Sequence, residues 1–296
     1  MTDVQVDPEV LDGHSPLQGL TKNDFVVFDE NTPQAIKYFG HEAVPLDLVL
    51  LLDMSGSVRK YLQQIAGIAS TALDRLQPQD QVAVMLFGRN TWIEQAFTNQ
   101  HEEIAAAIDM KSAGEAPVGS GTRIYAGVQA AARYVASQDS ATLRRRAILI
   151  VSDNDGISYD VHKDDALRAL YDAKAGLDAI VVGRHPHPPV PRHGAAINPD
   201  FAFDDVFPLA EETGGEVIAT SKPAQDLGDM LTRIRDRYFL VYQLPPGATA
   251  GSYRHIRVDL SEAARKKHPH AIVRARSGYY VNREEPQKSD EPQPHQ

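Results

Sequence analysis

Through the middle of this chain, short continuous apolar runs alternate with amphipathic helical segments, and that alternation restricts it to one class of fold. The runs are Leu48 to Leu52, Val82 to Phe87, Ala147 to Val151, Ala179 to Val182 and Val217 to Ala219. They are apolar on both faces, as strands covered on both sides are; half-exposed strands alternate instead. Between them, Tyr61 to Leu76 carries Leu62, Ile65, Ile68, Ala69, Ala72, Leu73 and Leu76 at helical spacing, with Pro78 just past its end. His101 to Ile108, Tyr125 to Val135, Asp164 to Lys174 and Leu227 to Arg237 share that period. The pattern predicts an α/β fold, a doubly wound and mostly parallel sheet with helices on both faces. Thr91 to Phe97 alternates a few residues after a strand and is expected as its edge hairpin partner.

The flanks obey a different period. FVVFDENTPQAIKYF before the α/β region, and YFLVYQLPPG, YRHIRVDL and HAIVRARSGYYV after it, repeat every second residue between turn signals. They predict one small antiparallel β-domain built from both chain ends, with the α/β domain inserted. The expected boundaries are 1–43 and 238–283 for the two parts of the β-domain and 44–237 for the insert. A polar, Pro-rich tail, 284–296, is expected to be disordered.

Composition closes off several functions. Lys and Arg number 30 against 40 Asp and Glu, a formal net charge of -10. Phosphate backbones and anionic membranes are held by clustered cations, so neither is an expected partner. Cys is absent, which excludes disulfides, thiolate metal sites and a cysteine nucleophile. No apolar run is long enough to span a bilayer, and MTDVQVDPEV lacks the features of a signal peptide. Localisation is left open.

Ligands of parallel α/β sheets sit at the carboxyl ends of strands. At one such end the run DLVLLLDMSGSV places Asp53, followed by Ser55 and Ser57. AILIVSDNDG ends a second strand at Asp153, with Asp155 beyond it, and GSGTRIYAGV sets Thr122 at the start of a helix. Two carboxylates and three hydroxyls make an oxygen-only set, which suits a hard cation that keeps waters: magnesium, or manganese in its place. Each piece alone reads as an N-cap or a turn residue. Their order and their strand-end positions set the combination apart.

Over roughly Val44 to Arg237 the chain resembles a von Willebrand factor type A (VWA) domain with a metal-ion-dependent adhesion site (MIDAS), on the motifs DMSGS, GSGT with RIYAGV, and LIVSD. The flanks, GLTKNDFVVFDENTPQAIKYF and RARSGYY, are similar to those of a bacterial group of VWA-containing proteins, relatives that are often exported. The resemblance implies that Ser55, Ser57 and Thr122 ligate magnesium or manganese through their hydroxyls, with Asp53 and Asp153 acting directly or through waters. An open coordination position would take an acidic side chain of a protein partner, making the chain a metal-dependent adhesion module. Many members carry Gly after the final Asp where this chain reads SDNDG, so Asp155 is an additional candidate ligand. In this reading Met54 points away from the metal.

Other readings are weaker. Phosphatases with an aspartyl nucleophile need a second Asp as general acid where Ser55 stands, so an enzyme is not expected. In GRHPHPPVPRHG, His185, His187 and His193 could in principle hold zinc or nickel, but prolines do not enforce convergence. The loop is expected instead to border the binding surface and influence partner choice. Arg144 to Arg146 reads as a solvated strand entrance, and Tyr238, Phe239, Tyr242, Tyr253, Tyr279 and Tyr280 as β-domain core. A scaffold with no bound metal is the remaining alternative.

Overall fold

The structure is a computed structural model that describes residues 3–13, 15–113, 117–138, 142–183, 187 and 202–282. Six strands form the central sheet: β1 (Leu46–Asp53), β2 (Gln81–Phe87), β3 (Thr91–Thr98), β4 (Arg145–Ser152), β5 (Ala175–Val182) and β6 (Val217–Thr220). Their order is β6-β5-β4-β1-β2-β3, and every pairing is parallel except that of β3 with β2. Thr91–Thr98 is thus the antiparallel edge strand that its alternation predicts.

The pleat of β1 explains its unbroken apolar run. Leu46, Leu48, Leu50 and Leu52 face one layer of helices, and Val49 and Leu51 face the other. The first layer holds α1 (Arg59–Ala66), α2 (Ala69–Leu73), α3 (His101–Ala113) and α7 (Pro223–Arg235). The second holds α4 (Ile124–Ala136), α5 (Lys163–Ala173) and α6 (Val206–Thr213). Helices therefore cover both faces, as a doubly wound sheet requires.

The single helix expected over Tyr61 to Leu76 is instead two. Gly67 closes α1, and Ile68, at φ -128°, leaves helical geometry before α2 starts. The apolar spacing continues across the break because both pieces pack on the same core.

The flanks form antiparallel sheets that pair the two ends of the chain. Asp3–Val6 and Ile36–Gly40 lie on either side of Phe239–Gln243. Phe25–Asp29 pairs with Tyr253–Leu260, and Glu9–Asp12 with Ile272–Arg274. Tyr238, Tyr242 and Tyr279 are buried in this layer, where the Tyr242 and Tyr279 hydroxyls donate to Asp29 at 2.8 and 2.7 Å. The expected 284–296 tail lies outside the described residues.

Arg144 to Arg146 overturn the expectation of a solvated strand entrance. Arg145 is 1% exposed and donates to the carbonyls of Arg235 and Arg237, while Arg144 pairs with Asp47 at 2.7 Å. Charge alone concealed this: an arginine is buried readily when its fork finds acceptors, and here carbonyls at the end of α7 supply them.

Candidate metal-binding site

Strand order decides where a site can form. From β1 the chain builds toward β2 on one side and toward β4 on the other, so the carboxyl ends of β1 and β4 flank a topological switch point. In the register, Leu52 lies opposite Val151, which sets Asp53 level with Ser152. Asp53 is completely buried. Its Oδ1 accepts the Ser55 amide at 2.9 Å, and its Oδ2 accepts the Ser152 hydroxyl at 2.7 Å. Burial pushes its carboxyl up to about 6, against the pull of the Ser152 and Ser55 hydrogen bonds.

That Ser55 bond folds the DMSGS turn so that the Ser55 and Ser57 hydroxyls lie 3.1 Å apart. Neighbouring ligands of an octahedral magnesium are about 3 Å apart, so this pair has the spacing of two cis ligands. The Met54 amide donates to the Phe87 carbonyl at 2.9 Å, and its side chain packs on the core.

Thr122 arrives on a glycine loop. Gly119 and Gly121 take φ of 71° and 105°, a region closed to most side chains. The loop is pinned to the end of β2, where a Cβ on Gly88 would meet the Gly119 carbonyl at 2.7 Å. Asn90 donates to the Val118 carbonyl at 2.7 Å and Arg123 to the Gly88 carbonyl at 3.1 Å. Ser57, Thr122, Asp153 and Asp155 line one cavity of about 880 Å³, so the structure brings residues from three distant motifs to one rim.

Asn154 answers the departure from Gly in SDNDG. It sits at φ 57°, the left-handed conformation that Gly favours and Asn tolerates. Its side chain accepts the Val206 amide at 3.0 Å and donates to Asp205 at 3.0 Å, tying the rim to the start of α6. Asp153 is half-buried and Asp155 exposed, both on the cavity wall.

Two further residues shape the rim without facing the cavity. Ser152 donates to Asp53 and accepts the Asn154 amide at 3.1 Å, linking the ends of β1 and β4. Asp204 is fully buried and accepts the Ile124 and Tyr125 amides at 2.7 and 3.2 Å, capping α4 directly after Thr122. It also receives the amide and hydroxyl of Ser158, and burial raises its carboxyl above the usual range. Ser152 had a sequence signal, the hydroxyl beside Asp153 in LIVSD. Asp204 had none, since its partners in α4 lie about 80 residues away and Ser158 lies 46 away.

His187 stacks near Phe207, with ring centroids 4.2 Å apart. His185 and His193 lie outside the described residues. Among the described residues, no three His, Asp or Glu side chains cluster as ligands, so any cation here depends on the hydroxyls.

Residues 48–156 match the family model of the von Willebrand factor type A domain. This segment is a VWA domain. It contains Asp53, Ser55, Ser57, Thr122 and Asp153 together. Among solved structures, the chain is similar to an aerotolerance-related membrane protein from Bacteroides fragilis, at 19% identity over 64% of this chain and 98% of that one, with a TM-score of 0.45. It is also similar to a von Willebrand factor type A protein from Catenulispora acidiphila, at 13% identity over 88% and 74%, TM-score 0.47. A third is proximal thread matrix protein 1 of the mussel byssus, solved with a zinc-occupied MIDAS motif, at 14% identity over 70% and 50%, TM-score 0.48. At this level the three likenesses do not bear on function. No curated protein matches the chain. Among the described residues, no helix of this VWA-containing chain is long and apolar enough to cross a membrane.

Proposed function

We propose that the VWA segment is a protein-binding module that holds a magnesium or manganese ion and uses it to grip a carboxylate on a partner protein. The observation that carries the reading is the shared rim: Ser55 and Ser57 at cis-ligand spacing, with Ser57, Thr122 and Asp153 on one cavity wall. Asp53, with both oxygens already engaged, orients the serine turn and balances the ion's charge from below. Ser55, Ser57 and Thr122 are neutral ligands. A set with few carboxylates leaves the ion with residual positive charge, which draws an acidic side chain into an open position.

Isothermal calorimetry of the full chain with magnesium and with manganese tests the reading. Saturable heat that Asp53→Asn and Thr122→Val both remove is the expected result. Absence of heat with either ion overturns it and leaves a structural scaffold.

A further inference from the structure

The cavity over the VWA rim is larger than one carboxylate needs. At about 880 Å³ it falls in the range that receives whole ligands or short peptide segments. Beyond Ser57, Thr122 and Asp153 its walls carry Arg89, Arg123 and Tyr159, together with Asp155 and Asp160.

The two arginines are arranged unequally. Arg123 is held by an ion pair with Asp160 and donates from Nη1 to the Arg89 carbonyl at 3.4 Å. Its Nε is buried and has no hydrogen-bond partner among the described residues. Arg89 is exposed, on the turn between β2 and β3, and pairs with no carboxylate among the described residues. That turn is rigid, because Gly88 packs against the glycine loop and Asn90 bonds to Val118. An unpaired cation on a fixed turn stands out in a chain of net charge -10, whose overall field repels acidic partners. Arg123 pairs with Asp160 and Asp153 belongs to the cation site, so among the described residues Arg89 is left as the lining cation that no carboxylate pairs and Asp155 as the lining carboxylate that no cation pairs. Tyr159, 61% exposed, adds a flat apolar face to the same cavity.

We propose that this cavity receives a protein segment bearing two carboxylates, one for the bound cation and a second for Arg89. The inference rests on the metal-binding reading above and goes beyond it by naming Arg89 as a specificity residue. A guanidinium fork matches a carboxylate in shape as well as charge, so the second group selects among partners that all offer a first.

The test uses the full chain in magnesium with acetylated, amidated peptides as probes. Two carry two acids, Gly-Asp-Gly-Asp-Gly and Gly-Asp-Gly-Gly-Asp-Gly; the control, Gly-Asp-Gly-Asn-Gly, carries one. At least one two-acid peptide is expected to bind about tenfold more tightly than the control. Arg89→Gln should erase that advantage while leaving magnesium affinity and control binding unchanged. Equal affinity for all three peptides, or an advantage that survives Arg89→Gln, overturns the inference while magnesium binding stands. A wild-type chain that takes up no magnesium removes the reading beneath it as well.

Discussion

At the scale of single residues, the burial of Asp53 sets how its carboxyl ionises. In metal-free protein its carboxyl titrates at about 6 rather than 3.8, because burial penalises the charged form. A raised carboxyl means that ionisation costs stability: that part of the metal-free fold's stability is complete below about pH 4 and fades as pH rises through 6. A cation binds only the ionised form. Apparent magnesium affinity should therefore be flat above pH 6 and fall about tenfold per unit below it. Calorimetry from pH 5 to 8 checks this, and a flat profile down to 5 would contradict it. Asn154 offers a separate test. Asn154→Ala combines left-handed strain with loss of the Val206 and Asp205 bonds and should cost about 2 kcal/mol in urea unfolding. Asn154→Gly, free of the strain, should cost less. The positions of Asp53, Ser55, Ser57 and Asp153 were legible because an apolar strand ends beside them, and that of Thr122 because a glycine-rich turn precedes its helix. Ser152 and Asp204 could not be assigned, since their roles exist only once β1, β4 and the start of α4 are side by side.

Helix ends and turns set the rim at the next scale up. Asp204 caps α4 from a separate strand, Ala202–Asp204, so Thr122 is fixed by a residue outside its own loop. Asp204→Ala strands two amides of α4 and both Ser158 donors, a loss of about 2 kcal/mol. It should also weaken magnesium binding through the loosened Thr122 loop. Asp205→Ala removes the α6 cap at Phe207 and the acceptor of the Asn154 side chain but no bond to α4, and should affect stability more than magnesium affinity. Denaturation and calorimetry on both variants separate the two effects. Strand positions were legible because burial on two faces demands continuous apolar runs. The break after α1 was not, because Ile68 and Ala69 keep the helical spacing while Gly67 ends the hydrogen-bonded run. Nor was α6, which follows residues whose sequence reads as loop.

Across the whole molecule, the α/β sheet is joined to the flanking sheets through buried charge. Arg237, 3% exposed, pairs at 2.5 Å with the fully buried Asp178 of β5, just before the chain enters Phe239–Gln243. Removing one member leaves the other charged and dry. Asp178→Ala should cost about 3–5 kcal/mol, and pairing it with Arg237→Met should recover much of that loss. Guanidinium unfolding of the single and double variants measures the difference. The antiparallel flanks were legible from their period, but this seam was not: arginines in a sequence look solvated until the carbonyls and acids that receive them are in place. The pairing of Phe239 with Gly40 has a mechanical consequence. The strand entering the VWA unit and the strand leaving it are zipped to each other. Tension pulled along the backbone from one flank to the other short-circuits through that stem instead of crossing the inserted unit. On the proposed metal-dependent reading, only a tug delivered by a bound partner would strain the ion's grip, so the two connections would fail independently.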